Sequence, residues 1–190
     1  LTLFPPEDVA LDVSAGSIYK SGGLFIHTRG GVGNTALGKE ALANTTTGRS
    51  NSAVGDHALS SNTSGFFNSA IGDRALAANT GGFSNSAFGN HALFSTTIGT
   101  NNTATGNKAL YTNRDGGSNT ANGSYALYRN TIGGNNTGVG VLALASNRTG
   151  GGNTATGSGA MRFNTTGFVN TATGNRALYS NTTANYNTAN

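Results

Sequence analysis

The residues of this chain that are best suited to chemistry are three histidines and a few carboxylates. Asp56 and His57 are adjacent, His91 follows two repeats after His57, and Arg74 lies midway between these two histidines. A metal site needs several ligands around one ion, and a nucleophilic triad needs a serine beside a histidine and a carboxylate. Neither set recurs in the sequence. We therefore expect no enzymatic activity, no metal site and no cofactor.

One glycine-rich segment is similar to a phosphate-binding loop. It reads GGVGNTALG and begins at Gly30. A phosphate loop must be followed by a helix whose N-terminus faces the phosphate. No helical pattern follows here, and the glycines belong to a longer repeat, so we assign the segment to the repeat.

That repeat must position every one of these side chains. It has seventeen positions and recurs nine times from Asn34 without an insertion or deletion. Position three is Ala (Gly138 once), position eight is Ala, and positions five and fifteen are Gly (Ala184 once). Position one is always Asn: Asn34, Asn51, Asn68, Asn85, Asn102, Asn119, Asn136, Asn153, Asn170 and Asn187. Position nine is a large apolar residue: Leu42, Leu59, Leu76, Leu93, Leu110, Leu127, Leu144, Met161 and Leu178.

A period of seventeen is too short for the helix pairs of helical repeat proteins and fits one coil of a β-solenoid. The sequence therefore predicts an all-β solenoid of nine coils, about 4.8 Å apart. The asparagines are expected to form a ladder of side-chain amides, and the leucines to form the hydrophobic column. The glycines at positions five and fifteen are expected to supply positive φ angles at two corners. Neighbours on a flat strand face opposite ways, so only one of Ala (position eight) and Leu (position nine) is expected to face inward.

Composition supports a repeat structure over an ordinary globular core. Hydrophobic residues make up 35% and charged residues 9%, against roughly 45–50% and 25% in globular domains. No apolar run approaches the roughly 18 residues of a membrane span, so membrane insertion is not expected. The chain has no cysteine. The positive charges are sparse and lack a stacking platform, which argues against nucleic acid as a partner.

The repeat pattern divides the chain into four parts. Residues 1–16 are expected to form an N-terminal arm, 17–33 a degenerate capping coil, 34–186 the nine coils, and 187–190 the start of an incomplete tenth coil. The arm is acidic and the distal coils are basic, which favours head-to-tail contact between copies. We expect the arm to pair with a neighbouring subunit near the open coil. The residues assigned to this assembly are Leu1, Leu3, Phe4, Val9, Leu11, Val13 and Asn187.

The variable positions of the repeat mark the outer surface. Aromatic residues recur at positions ten, sixteen and seventeen, and two interpretations stay open: they contact another subunit or ligand, or they cover the glycine-rich corners. Three coils carry a Thr-Ala-Thr triplet, which begins at Thr103, Thr154 and Thr171. Stacked Thr-x-Thr rows can bind ice, but Phe88 and Asn122 are among the residues that interrupt the row. Ice binding is therefore only a remote alternative.

The phrases GNTALGKEAL, NSAIGDRAL and NTATGNRALYSNTT resemble the Asn-Thr-Ala-x-Gly repeat arrays of bacterial surface proteins. They are similar in style to the head repeats of trimeric autotransporter adhesins. The segment ALDVSAGSIYKSGGLFIHTRG also resembles the lead-in of such arrays and of phage tail-fibre-like proteins. The resemblance implies a secreted β-solenoid, either a single chain or a trimer.

These patterns together predict a structural protein at the cell surface or outside the cell. The expected function is that of a fibre or filament subunit whose partner is itself, as a homopolymer or homotrimer. The alternative is an adhesin head or tail-fibre segment that binds surfaces or glycans through its aromatic turns.

Overall fold

The structure, a computed structural model, describes residues 9–12, 17–20, 23–27 and 31–190. Within these ranges the chain is all-β, and its strands form one 13-stranded sheet in chain order. The strands are β1 Val9–Asp12, β2 Ser17–Lys20, β3 Gly23–His27, β4 Thr35–Leu37, β5 Ser52–Val54, β6 Ser69–Ile71, β7 Ser86–Phe88, β8 Thr103–Thr105, β9 Thr120–Asn122, β10 Thr137–Val139, β11 Thr154–Thr156, β12 Thr171–Thr173 and β13 Thr188–Ala189.

Strands β4 to β13 are parallel and stack as the predicted β-solenoid. Each strand pairs with the next at a constant offset of one repeat, as Thr35 does with Ser52 and Thr154 with Thr171. A parallel connection needs a crossover of about a dozen residues, and the rest of the repeat supplies it. The unbroken period of the sequence therefore fixes both the coil length and the register.

The N-terminal strands differ from the coil predicted for residues 17–33. Strand β2 pairs antiparallel with β3, and β3 pairs antiparallel with β4, so β2 and β3 do not belong to a solenoid coil. Only two residues separate β2 from β3, and a connection this short returns the chain antiparallel. Further along, Gly31 N–H donates to the Gly48 carbonyl at 3.1 Å. The described residues therefore follow the repeat path from residue 31 onward.

The expected choice between Ala at position eight and Leu at position nine was wrong, because both side chains are buried. In the first coil Ala41 and Leu42 are each fully buried. This stretch is a series of turns in which Leu42 has φ 49° and Glu40 has φ 57°. Left-handed conformations at alternate residues break the two-sided alternation of a flat strand. The chain can therefore direct two consecutive side chains into the core.

Glycine at positions five and fifteen lies close to the next coil in both cases, but only position five also has a positive φ angle. At position five the φ angle is positive, as in Gly38 (136°) and Gly123 (143°), which confirms the prediction there. The prediction was wrong at position fifteen, since Gly48 and its equivalents have no positive φ. A Cβ on Gly48 would lie 2.5 Å from the Gly65 carbonyl oxygen and 2.6 Å from Asn62 Nδ2. Glycine is needed at position fifteen because the next coil is too close for any side chain.

Two adjacent glycines test this reason for position fifteen. A Cβ on Gly82 would meet Asn79 Oδ1 and the Gly99 carbonyl oxygen, whereas on Gly81 its nearest neighbour is Ser64 Oγ at 3.5 Å. We expect Gly82→Ala to lower the free energy of unfolding by about 1–3 kcal/mol through overpacking. Gly81→Ala should leave it unchanged or raise it slightly. Urea denaturation followed by circular dichroism measures both, and equal effects would contradict the close-approach explanation.

Candidate functional site

The invariant asparagines at position one form a buried ladder along the solenoid. Asn51 Nδ2 donates to Asn34 Oδ1 at 3.1 Å, and the Asn51 backbone N–H donates to the same oxygen at 2.9 Å. Asn51 Nδ2 also donates to the Gly65 carbonyl of its own coil at 2.8 Å. The same three bonds recur in later coils up to Asn170, and Asn187 keeps the two bonds to Asn170 Oδ1. Each amide thus joins neighbouring coils and also ties the start of its coil to position fifteen.

A second buried ladder, at position twelve, was missed in the sequence. Asn130 Nδ2 donates to Asn113 Oδ1 at 2.8 Å and to the Gly133 carbonyl at 2.9 Å. The members of this ladder are Asn62, Asn79, Asn113, Asn130, Asn147, Asn164 and Asn181. Threonine replaces Asn at residues 45 and 96. These exceptions interrupted a pattern that the period of the repeat would otherwise have revealed.

The interruptions at Thr45 and Thr96 leave buried polar atoms without partners. Among the described residues, Asn79 Oδ1, Thr96 Oγ1 and Thr45 Oγ1 are buried and make no hydrogen bond. An unsatisfied buried polar atom costs about 1–3 kcal/mol. The stack is therefore weakened at Thr45 in the first coil and, with two unpaired atoms, more strongly at Thr96 in the fourth coil.

Thr96→Asn should repair the second ladder. The new amide would donate to Asn79 Oδ1 and accept from Asn113 Nδ2, as its equivalents do in later coils. We expect the free energy of unfolding to rise by about 1–2 kcal/mol, measured by urea denaturation. The neighbour Thr97 provides the control. It is half-buried, and its Oγ1 donates to Asp115 Oδ1 in a solvent-exposed bond that water can replace. Thr97→Asn makes the same exchange of residue types and should therefore change stability by about 0.5 kcal/mol or less. An unchanged free energy of unfolding in Thr96→Asn would show that the threonine at residue 96 does not destabilise the fold.

The predicted hydrophobic column lies in the interior. The side chains at position nine from Leu42 to Met161 are fully buried, and Leu178 is half-buried against the same cluster. The alanines at positions three and eight complete the core, as Ala104 and Ala109 do around Leu110. Interior packing thus uses one large side chain per coil.

The histidines and carboxylates of the solenoid lie on its surface and do not form a reactive cluster. His57 Nδ1 is 2.8 Å from Asp56 Oδ1 in an exposed pair, and His91 Nδ1 is 2.7 Å from Asn90 Oδ1. Across the residues described, no group of three metal-binding side chains comes together. The surface at repeat positions six and seven therefore carries scattered pairs of polar side chains.

The strand face presents two rows of outward side chains, at positions two and four. Thr103 and Thr105 are both exposed on either side of buried Ala104. Along the axis, position four changes from apolar residues in the first four coils, which include Ile71 and Phe88, to mainly polar residues in later coils. The Thr-x-Thr rows are thus confined to part of the face.

The aromatic residues form ordered stacks along the solenoid. At position ten, Phe94 lies 5.1 Å from Tyr111 with an angle of 7° between the rings, and Tyr111 lies 5.4 Å from Tyr128 at 20°. We call these three residues the aromatic stack. Lys108 Nζ lies 5.8 Å from the Tyr111 and Tyr125 ring centroids. A separate pair, Phe66 and Phe83 at position sixteen, stacks at 4.9 Å.

An open groove lies at each end of the aromatic stack, where a small residue replaces the ring. The groove beyond Phe94 contains Ala77 and has a volume of about 290 Å³. The groove beyond Tyr128 contains Ala145 and has a volume of about 300 Å³; we call it the seventh-coil groove. Both grooves arise because position ten holds alanine where the neighbouring coil holds an aromatic residue. Their shape depends on the coil geometry, so sequence reasoning missed them.

The residues assigned to assembly fall mostly at the N-terminus. Leu1, Leu3, Phe4 and Val13 lie outside the described residues. Val9 and Leu11 belong to β1, which pairs with β2 of the same chain, so this part of the arm does not leave its own sheet. Asn187 lies in the ladder, directly before β13.

No family model, curated protein or solved structure matches this chain. The residues that the structure describes include no helix that could span a membrane.

Proposed function

We propose that this chain is a structural subunit of an extracellular or cell-surface fibre, in which the solenoid forms the rod. The observation that carries the proposal is the unbroken register from β4 to β13, together with the continuous asparagine ladder at position one. Stacking repeats the same backbone and side-chain bonds at every coil. A body built in this way is quasi-one-dimensional and gains stability through contacts along its axis.

The direction of these bonds favours assembly end to end. Within each coil the backbone groups bond mainly to the coils above and below, as when Leu59 N–H donates to the Ala75 carbonyl at 3.0 Å. The sides of the rod carry side chains, whereas unpaired backbone groups occur at sheet edges. A neighbouring subunit can therefore continue the hydrogen-bonding pattern only along the axis.

The N-terminal strands offer a route for this contact. Among the described strands, β1 pairs on one side, with β2. Strand addition to its other side would supply main-chain hydrogen bonds. The acidic residues of 1–16, Glu7, Asp8 and Asp12, complement the basic later coils, although exposed charge pairs contribute little individually.

Electron microscopy of the purified full chain, compared with a chain that lacks residues 1–16, tests the proposal. We expect long unbranched filaments of uniform subunit spacing from the full chain. The shortened chain should still fold, because its nine coils are intact, but should give only monomers or short rods. Discrete rods or trimers from the full chain would contradict the fibre role. Equal filament growth by both chains would keep the fibre role and reject the N-terminal route.

A further inference from the structure

We propose that the seventh-coil groove binds one sugar ring that carries a carboxylate, such as a uronic acid unit of an acidic glycan. The site is separate from the axial contacts of the fibre. Its walls and floor come from the sixth, seventh and eighth coils, and Tyr128, Ala145 and Arg162 occupy the same position in these three coils.

The width of the groove fits one ring. Rings at position ten stack one coil apart, at 5.1 Å and 5.4 Å in the aromatic stack. Ala145 interrupts this series, so the face of Tyr128 that points away from Tyr111 borders the groove. The next side chain at this position, Arg162, is two coils from Tyr128, or about 9.6 Å at the usual strand spacing. The missing ring thus leaves a slot one ring thick.

The two walls of the slot differ in chemistry. Tyr128 offers an aromatic face, whose negative potential attracts the C–H groups of a saturated ring. Arg162 lies opposite, with its Cζ 5.4 Å from the Phe163 ring centroid and Nη1 3.3 Å from Tyr179 Oη. These two contacts hold the guanidinium in place. A guanidinium binds a carboxylate through paired hydrogen bonds.

The charge of this region favours an anionic ligand. From residue 116 to 190 the sequence contains four arginines and no aspartate, glutamate or lysine. Arg129 and Arg162 both line the groove, so an acidic sugar meets positive charge on two sides. The groove beyond Phe94 is less suitable, because Asp56 and Asp73 are carried by the same coils as its lining residues His57 and Arg74.

The chain itself suggests a variant that fills the slot and keeps the fold. Ala145→Tyr places at position ten of the seventh coil the residue found there in the fifth, sixth and ninth coils, as Tyr111, Tyr128 and Tyr179. The new ring should continue the aromatic stack. Ala77→Tyr fills the other groove in the same way and is the matched control. Thermal unfolding should show that both variants are folded.

Calorimetric titration of the full chain with a galacturonic acid hexamer tests the proposal. We expect binding that weakens about tenfold or more in Ala145→Tyr and in Arg162→Gln, and changes less than about twofold in Ala77→Tyr. The methyl-esterified hexamer, which has the same rings without charge, should bind about tenfold more weakly.

Four results would overturn the proposal. These are absence of binding at millimolar hexamer, unchanged affinity in folded Ala145→Tyr, equal affinity for the methyl ester, and tighter binding of a nucleoside monophosphate than of the hexamer. Unchanged affinity in Ala145→Tyr would show that the acid binds the basic surface generally. Tighter nucleotide binding would assign the slot to a planar base.

Discussion

Leu110→Asp should lower the free energy of unfolding by about 5 kcal/mol or more and melt the central coils. Leu110 is fully buried between columns of alanine. Removing a buried leucine side chain costs about 2–5 kcal/mol, and burying an unpaired carboxylate adds to that cost. The backbone does not oppose the change, because Leu110 has φ 52° and aspartate tolerates this conformation better than leucine. The expected loss of stability therefore measures the burial of the side chain at residue 110 and not a backbone effect.

Two variants of the same coil control this prediction. Lys108→Asp places the same residue at another left-handed position, φ 53°, on the surface, and should cost no more than about 1 kcal/mol for its lost ring contacts. Leu110→Met should cost less than about 1.5 kcal/mol, since Met161 occupies this position in the eighth coil. Urea denaturation measures all three. Unchanged stability of Leu110→Asp would refute the interior role of position nine.

Asn119→Ala should lower the free energy of unfolding by about 2–4 kcal/mol. It leaves the buried Asn136 backbone N–H without a partner, which costs about 1–3 kcal/mol, and the lost amide leaves a cavity that adds to this cost. The change removes the bonds from Asn119 Nδ2 to Asn102 Oδ1 and to the Gly133 carbonyl, at 3.1 Å and 2.8 Å. It also removes the acceptor Asn119 Oδ1 from the backbone N–H and the Nδ2 of Asn136. Thermal and urea unfolding both give the size of the loss.

The matched control for Asn119 is Asn107, which makes a bond of the same kind on the surface. Asn107 Nδ2 donates to Asn90 Oδ1 at 3.1 Å, one coil away, in an exposed position. Water can replace that bond, so Asn107→Ala should change stability by about 0.5 kcal/mol or less. Similar losses of stability in Asn119→Ala and Asn107→Ala would mean that burial is not the reason why the inner ladder stabilises the fold.

The period of the sequence was sufficient to predict the coil length, the parallel sheet, the asparagine ladder at position one and the leucine column. It was not sufficient to predict the backbone conformation of the turns that follow position five. Glu40, His57 and Arg74 share left-handed conformations with φ between 53° and 57°, and non-glycine residues rarely adopt that region. Coil-to-coil bonds impose the conformation there, as when His57 N–H donates to the Lys39 carbonyl at 2.8 Å. The intrinsic conformational preferences of these residues therefore do not predict the turns.

The sequence predicted which positions lie on the surface but not how their side chains are arranged. The aromatic residues at position ten were recognised as a surface feature, but their stacking depends on the turn geometry that places successive rings about one coil apart. The slot at Ala145 is a missing ring within a regular row, so it becomes visible only once the row is seen in three dimensions. Strands β2 and β3 were misassigned to a capping coil because the spacing of residues 17–33 was fitted to the repeat, whereas the two strands pair antiparallel.

The interruption at Thr96 has a consequence for how the molecule opens. In a linear array, cooperativity passes from coil to coil through each interface, and the weakest interface limits how far it extends. With Asn79 Oδ1 unsatisfied beside Thr96, the boundary between the third and fourth coils is the place where the array divides most readily into two cooperative units. Amide hydrogens next to this boundary should exchange with solvent through local openings of lower free energy than those within the fifth to eighth coils.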